Sequence, residues 1–138
     1  LEWTPAPAHW LHGSDDRLHT IVGERADEGI RTSGSAGVLV FGPYLPFAAG
    51  AYELRVWGRI DGVGADRVHV EIHCDRGATK VARTELSVAS TGPVLTTLSF
   101  TLDADCRDLE LLVIVGASTA MTFAGMDIRS GDALDAAG

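Results

Sequence analysis

Two successive segments of the chain, residues 51–60 and 66–75, alternate between apolar and polar positions. The apolar side chains share one face of each segment: Tyr52, Leu54, Val56 and Ile60, then Val68, Val70, Ile72 and Cys74. The opposite faces carry Glu53, Arg55, Trp57 and Arg59, then His69, Glu71, His73 and Asp75. A period of two is typical of a half-buried β-strand. Asp61 and Gly62, which lie between the segments, predict that the two strands pair as an antiparallel hairpin.

The strand pattern continues along the rest of the chain. Further predicted strands cover residues 38–41, 79–88, 95–103, 109–116 and 121–129, and residues 17–22 are a candidate first strand. Leu98, Phe100 and Leu102 are expected to face inward. Residues 109–115 are almost continuously apolar, which predicts a central strand covered on both faces. About eight short strands predict an all-β fold, an antiparallel β-sandwich of jelly-roll topology.

The flanking segments differ from this pattern. Prolines and turn residues predict an irregular N-terminal segment over residues 1–16, ahead of a β-sandwich domain over residues 17–130. Residues 29–37 are expected to form a loop, and residues 131–138 a flexible acidic tail. The chain opens on Leu1 without an initiator methionine, so we expect it to be part of a larger protein.

Composition excludes several classes of partner. The 138 residues include 11 basic and 19 acidic side chains, a formal net charge of -8. Binding to nucleic acid or to an anionic membrane requires clustered Lys and Arg, which this chain does not have. No apolar run approaches the roughly 18 residues that span a bilayer. The absence of Asn and Gln and the excess of Arg over Lys are typical of a bacterial genome of high GC content.

Catalytic motifs are missing from the sequence. It contains no G-x-S-x-G, H-E-x-x-H or C-x-x-C pattern, so the common nucleophile elbow and zinc sites are absent. Residues 62–67 begin like a dinucleotide-binding loop, but they lack its last glycine and lie between two strands. We therefore expect a domain without enzymatic activity.

The triplet His69, Glu71 and His73 is the one set with metal-ligating chemistry. Alternate residues of a strand share a face at a spacing of roughly 6.6–7 Å, so the three side chains could converge on an ion. This arrangement would favour a metal-dependent jelly-roll enzyme. A polar sheet face exposed to solvent is the preferred interpretation.

The outward position of Trp57 points to ligand binding, because a large apolar side chain on a polar face is unusual. Sugar rings stack on aromatic side chains, and their hydroxyls bond to charged planar groups. If the hairpin forms, one glycan site would combine Trp57, Arg55, Arg59, His69, Glu71 and His73. The favoured interpretation is that Trp57 packs beneath a loop or against the N-terminal segment.

A second candidate site lies in that N-terminal segment, where His9, Trp10 and His12 precede Asp15 and Asp16. The preferred interpretation is that Trp10 packs the segment onto the core.

Cys74 and Cys106 lie near the ends of predicted strands. They could form a disulfide if those ends are neighbours. Two buried thiols are the favoured alternative.

Residues 42–56 run from Gly-Pro-Tyr-Leu-Pro through Gly-Ala-Tyr into an alternating strand, and residues 121–128 read Met-Thr-Phe-Ala-Gly-Met-Asp-Ile. These stretches resemble galactose-binding-like, jelly-roll carbohydrate-binding modules. The resemblance implies a non-catalytic, glycan-binding accessory module of a larger bacterial protein. It also implies a structural calcium ion near the strand ends, with Asp127 as a candidate ligand. The alternative function is a structural or protein-interaction domain that contacts a neighbour through residues 37–52.

Overall fold

The computed structural model describes residues 9–61, 68–86 and 93–130, and within them it forms ten β-strands. The strands are β1 (His9–His12), β2 (Gly23–Ala26), β3 (Gly29–Thr32), β4 (Gly37–Phe47), β5 (Gly50–Ile60), β6 (His69–Cys74), β7 (Thr79–Glu85), β8 (Val94–Leu102), β9 (Cys106–Val115) and β10 (Met121–Ser130). These ranges include no helix long and apolar enough to cross a membrane.

The strands form two antiparallel sheets. In the first sheet the order is β2-β3-β10-β5-β8, and β1 pairs with β10 on the same side as β3. In the second sheet the order is β4-β9-β6-β7. The all-β sandwich predicted from the alternating pattern is confirmed.

One hydrophobic core lies between the sheets. The first sheet contributes the fully buried Leu54, Val56 and Phe123, and the second contributes Ile72 and Leu111. Removing an aliphatic or aromatic side chain of this size from water stabilises the fold by about 1.5–3 kcal/mol. The inward positions of Leu98, Phe100 and Leu102 are also confirmed, with each of the three buried.

The predicted hairpin of residues 51–60 and 66–75 is wrong. β5 lies between β10 and β8 in the first sheet, whereas β6 lies between β9 and β7 in the second. The chain therefore crosses from one sheet to the other after Asp61. Period-two alternation identifies which face of a strand is buried, but it does not identify the neighbouring strand.

The N-terminal third contains more pairing than its composition predicts. β1 lies inside the segment expected to be irregular, and β3 lies inside the expected loop. Residues 17–22, the candidate first strand, do not form a strand: they contribute an isolated bridge between His19 and Phe41 and backbone hydrogen bonds from Ile21 and Val22 to Val38. At Gly29 a Cβ would lie 2.0 Å from the Phe123 carbonyl oxygen, so the glycine allows β3 to approach β10 closely. The expected tail, residues 131–138, lies outside the described residues.

The apolar strand β9 is central in its sheet, as predicted, but it is not covered on both faces. Leu109, Leu111 and Val113 are fully buried, whereas Leu112 and Ile114 on the outer face are half-buried. Its continuous apolar pattern therefore reflects one core-facing side and one partly exposed apolar side.

Cys74 and Cys106 form a disulfide, so the favoured interpretation as two thiols is wrong. The bond joins the end of β6 to the start of β9, and the two Cα atoms are 5.9 Å apart. Adjacent strands within one sheet bring these two ends together.

Candidate functional site

A buried carboxylate organises the outer face of the first sheet. Asp127 of β10 is 3% exposed and lies directly opposite Arg55 of β5. Arg55 donates from Nη2 to Oδ2 at 2.7 Å and from Nε to Oδ1 at 3.1 Å. Trp57 Nε1 donates to Oδ1 at 2.7 Å. The Asp127 hydrogen bonds raise the pKa of Arg55 despite its partial burial, so the guanidinium remains charged.

This network fixes the orientation of the Trp57 indole. Its ring nitrogen is tied to Asp127, and the Arg55 guanidinium carbon lies 5.0 Å from the ring centroid. A guanidinium at this distance attracts the negative face of the ring. Arg55 and Trp57 are two residues apart on β5, so they project from the same side of the strand.

The second indole on this face belongs to Trp10 of β1, which is opposite Asp127 in the strand register. The rings of Trp10 and Trp57 meet edge to face, with centroids 5.8 Å apart and planes at 84°. A Cβ at Gly125 would lie 2.7 Å from Trp10 Cη2, so the glycine makes room for this indole. Trp10 is nevertheless 49% exposed. It covers the outer face of the sheet instead of filling the core, which corrects the preferred interpretation from sequence.

Trp57 therefore packs against the N-terminal segment, as the favoured interpretation of the sequence expected. Two other residues of the second candidate site, His12 and Asp15, bond to residues close to them in the sequence. The His12 ring lies 2.8 Å from the Ser14 hydroxyl, and the Asp15 carboxylate accepts 2.9 and 3.0 Å bonds from the Arg17 side chain. Trp10, which the sequence placed in the second candidate site, therefore belongs with Trp57 to the site on the first sheet.

The two indoles border an open groove of about 440 Å³. The described residues that line it are Trp10, Glu28, Trp57, Gly58, Arg59, Pro93, Thr122 and Ala124. We refer to this site as the tryptophan groove. Ala124, which lines the groove, lies in the bulge that shifts the β5–β10 register between Phe123 and Gly125. Bulges re-aim side chains beside functional sites.

The polar rim of the tryptophan groove is an exposed ion cluster. Arg59 donates from Nη1 to Glu28 and from Nε to Asp61, at 2.5 Å and 2.7 Å. These bonds hold the pKa of the Glu28 carboxyl below its usual range and raise the pKa of Arg59 above its usual range. The Glu28 carboxylate and the Arg59 guanidinium therefore remain charged at neutral pH.

The six predicted ligand-binding residues do not form one site. Arg55, Trp57 and Arg59 lie on the outer side of the first sheet, whereas His69, Glu71 and His73 lie on the outer side of the second. The core separates these two faces, which point away from each other. The correction follows from the sheet crossing after β5, because the predicted combination required β5 and β6 to be neighbours.

His69, Glu71 and His73 instead form a paired polar face. His73 Nε2 donates to Glu71 at 2.8 Å, and His69 Nε2 donates to Glu85 at 3.1 Å. Burial alone would raise the pKa of Glu71, but the His73 hydrogen bond and the charges of Lys80, His73 and Arg83 outweigh it and lower that pKa. Among the residues that the structure describes, no group of three or more His, Cys, Asp and Glu side chains could hold a metal ion.

Asp127 does not fit the role of a calcium ligand. Both of its oxygens accept hydrogen bonds from Arg55, and one also accepts from Trp57. A calcium ion there would lie beside a guanidinium and would lose its anionic ligand to that competitor. The expectation of a structural calcium ion stays a prediction, without Asp127 to support it.

Glu28, Pro93, Thr122 and Ala124 were not predicted as site residues. They come from three separate parts of the chain, and no local pattern marks any of them. Only the pairing of β3, β10, β5 and β8 brings them to one groove.

No family model and no curated protein matches this sequence. The fold, however, is similar to those of solved structures. The C-terminal CBM6 module of LamC, a laminarinase from Zobellia galactanivorans, matches over 89% of this chain and 99% of its own, with a TM-score of 0.57 and 14% identity. The fold is a jelly roll of the carbohydrate-binding-module type.

A second match to this jelly roll comes from a larger protein. The Gap123 glycosylation-associated protein complex from Streptococcus agalactiae matches over 90% of this chain, with a TM-score of 0.62 and 15% identity. This chain spans 25% of the matched Streptococcus chain. The resemblance predicted from residues 42–56 and 121–128 is therefore confirmed at the level of the fold.

Proposed function

We propose that this jelly roll is a non-catalytic carbohydrate-binding module of a larger bacterial protein, and that glycan binds in the tryptophan groove. The observation that carries the proposal is Trp10, an indole held at 84° to Trp57 above an open groove while 49% exposed. A concave, mostly apolar groove that is bordered by aromatic side chains and has a few charged groups at its rim is typical of a ligand-binding site.

Trp10 would serve as the stacking platform. Its ring is braced by Gly125 beneath and by Trp57 at the side, so little conformational entropy is lost on binding. Trp57 would act as a wall of the groove, since its nitrogen already bonds to Asp127 and Arg55 packs against its ring. The C–H face of a sugar would cover the exposed indole, and its hydroxyls would reach the charged rim.

The similarity of the fold to a solved carbohydrate-binding module supports this proposal. The module of the Zobellia laminarinase is a carbohydrate-binding module of nearly the same extent as this chain. Fold alone does not assign a ligand, and the tryptophan groove supplies the specific argument for this chain.

The test is a glycan-array screen of the purified chain, with and without calcium, against the variant Trp10→Ala. A matched control is Ile21→Ala, because Ile21 is a 67% exposed apolar side chain outside the groove. We expect binding that is lost in Trp10→Ala and retained in Ile21→Ala, with all three proteins folded by circular dichroism. Silence of the folded wild-type chain, or equal binding by Trp10→Ala, would contradict the proposal.

The second candidate function, protein interaction through residues 37–52, is favoured by one observation. Tyr44 is 42% exposed on β4, which is an edge strand of the second sheet. The earlier part of that edge is covered, since Val38 accepts bonds from the Ile21 and Val22 backbone. A partner would therefore add to the part of β4 near Tyr44. Sedimentation velocity over a range of concentrations would reveal self-association, and Tyr44→Arg would abolish it.

A further inference from the structure

We infer that the tryptophan groove selects neutral glycans over acidic ones, and that Glu28 and Asp61 determine this selectivity by neutralising Arg59. The inference rests on the proposed function and adds the class of glycan. It concerns the charge of the rim, which is separate from the stacking surface of the two indoles.

Among the described residues that line the groove, Arg59 is the only cation. Its guanidinium bonds to two carboxylates that come from different parts of the fold. Glu28 lies in the turn between β2 and β3, and Asp61 directly follows β5. With two acidic side chains and one basic side chain, this rim has a formal net charge of -1. It would repel the carboxylate of a uronic acid or the sulfate of a sulfated sugar.

The neighbouring arginines on this side of the molecule also have carboxylate partners. The Arg55 guanidinium binds the buried Asp127, at 2.7 Å. Arg31, opposite Thr122 in the register, has Nη2 3.9 Å from Glu24. An acidic sugar is recognised best by a guanidinium that can offer two parallel N–H groups. On this face, an acidic sugar would first have to displace the carboxylate that already pairs with the guanidinium.

The ion cluster is accessible to a ligand. The side chains of Arg59, Glu28 and Asp61 are 51%, 54% and 45% exposed. Their charge therefore acts on the contents of the groove and not on the core. Removing the two carboxylate charges should leave the sandwich folded and expose an unpaired guanidinium beside Trp10 and Trp57.

The experiment compares matched oligosaccharides that differ only in a hydroxymethyl group or a carboxylate at the same ring carbon. Isothermal titration calorimetry at low salt would measure each affinity for the wild-type chain and for Glu28→Gln/Asp61→Asn. We expect the wild-type chain to bind the neutral member more tightly. The ratio of the affinity for the acidic member to that for the neutral member should be higher in the double variant. We expect a rise of about two- to fivefold for each of the two ion pairs removed, because a solvent-exposed ion pair contributes that much.

Two controls separate the role of Arg59 from that of overall charge. Asp16→Asn/Asp103→Asn also removes two negative charges, but at exposed positions outside the groove. Its ratio of acidic to neutral affinity should stay at the wild-type value. Adding Arg59→Gln to the double variant should abolish the gain. Wild-type preference for the acidic member, or an unchanged ratio in Glu28→Gln/Asp61→Asn, would overturn this inference while the proposed function stands. Binding of neither member, nor of any glycan on the array, would overturn both.

Discussion

The Trp57 indole and the Asp127 carboxylate are joined by a 2.7 Å hydrogen bond between neighbouring strands of one sheet. Asp127 points outward from β10, yet it is 3% exposed because the side chains around it cover it. The carboxylate therefore positions the wall of the tryptophan groove from below. Its charge is balanced by Arg55, whose side chain is 28% exposed.

Asp127→Asn should destabilise the domain and loosen Trp57. The amide retains an acceptor but places an NH₂ group against the Arg55 guanidinium, so at least one charge-assisted bond is lost. We expect the free energy of unfolding to fall by about 2 kcal/mol, within the range for hydrogen bonds to charged groups. Urea unfolding monitored by tryptophan fluorescence would measure it. The exposed Asp16→Asn serves as the control, and an equal effect of both substitutions would contradict the prediction.

Gly58→Ala should disturb the junction of β5 and β10 beneath the tryptophan groove. A Cβ at Gly58 would lie 2.1 Å from the Thr122 carbonyl oxygen, so the two strands would have to separate. We expect a loss of about 1–3 kcal/mol of stability, together with a weaker near-ultraviolet circular dichroism signal from the Trp10–Trp57 pair. Gly34→Ala is the control for the aromatic signal: alanine is strained at the Gly34 φ of 95°, but its Cβ has nothing within 4 Å, so the signal should stay intact. An unchanged signal in Gly58→Ala would count against this account.

Loss of the Cys74–Cys106 disulfide should lower the stability of the second sheet. The bond closes a segment of 32 residues, and the chain-entropy relation for a loop of this length predicts about 3–4 kcal/mol. The comparison is between the oxidised wild-type chain and Cys74→Ala/Cys106→Ala in urea unfolding. Titration of free thiols in the unfolded wild-type chain, without reductant, provides the control and should find none. Two titratable thiols would show that the bond is absent.

Glu71 should make the stability of the domain sensitive to acid. Its pKa in the folded chain is held below its usual range of about 4.3, because the His73 hydrogen bond and three nearby cations outweigh the effect of burial. The ionised carboxylate therefore stabilises the fold above that pH, and the contribution is lost as the pH falls through the lowered folded-state pKa. The free energy of unfolding of the wild-type chain should exceed that of Glu71→Gln by about 1–2 kcal/mol at pH 6, and the difference should be smaller near pH 3.

Unfolding in urea at both pH values would test this. Glu24→Gln is the matched control, because the Glu24 side chain is 52% exposed and lies 3.9 Å from its arginine partner. We expect it to differ from wild type by less than about 0.5 kcal/mol. A difference between wild type and Glu71→Gln that stays constant from pH 6 to pH 3 would rule out the linkage.

Alternation along single strands was enough to predict the class of fold and much of the core. Leu54 and Ile72 face inward as predicted, because burial on one side of a strand imposes a period of two on that strand alone. β8 and β10 could be located within a few residues for the same reason. The resemblance carried by residues 42–56 and 121–128 correctly indicated the jelly roll.

Only the tertiary structure decided which strands are neighbours, and the strand neighbours in turn decided which residues form the candidate site. The sequence placed Trp57 and His69 on one face, but β5 and β6 belong to different sheets. It placed Trp10 in an irregular segment, but β1 pairs with β10 and brings that indole to Trp57. The face that a side chain occupies follows from local alternation, whereas strand partners depend on contacts between residues far apart in the chain.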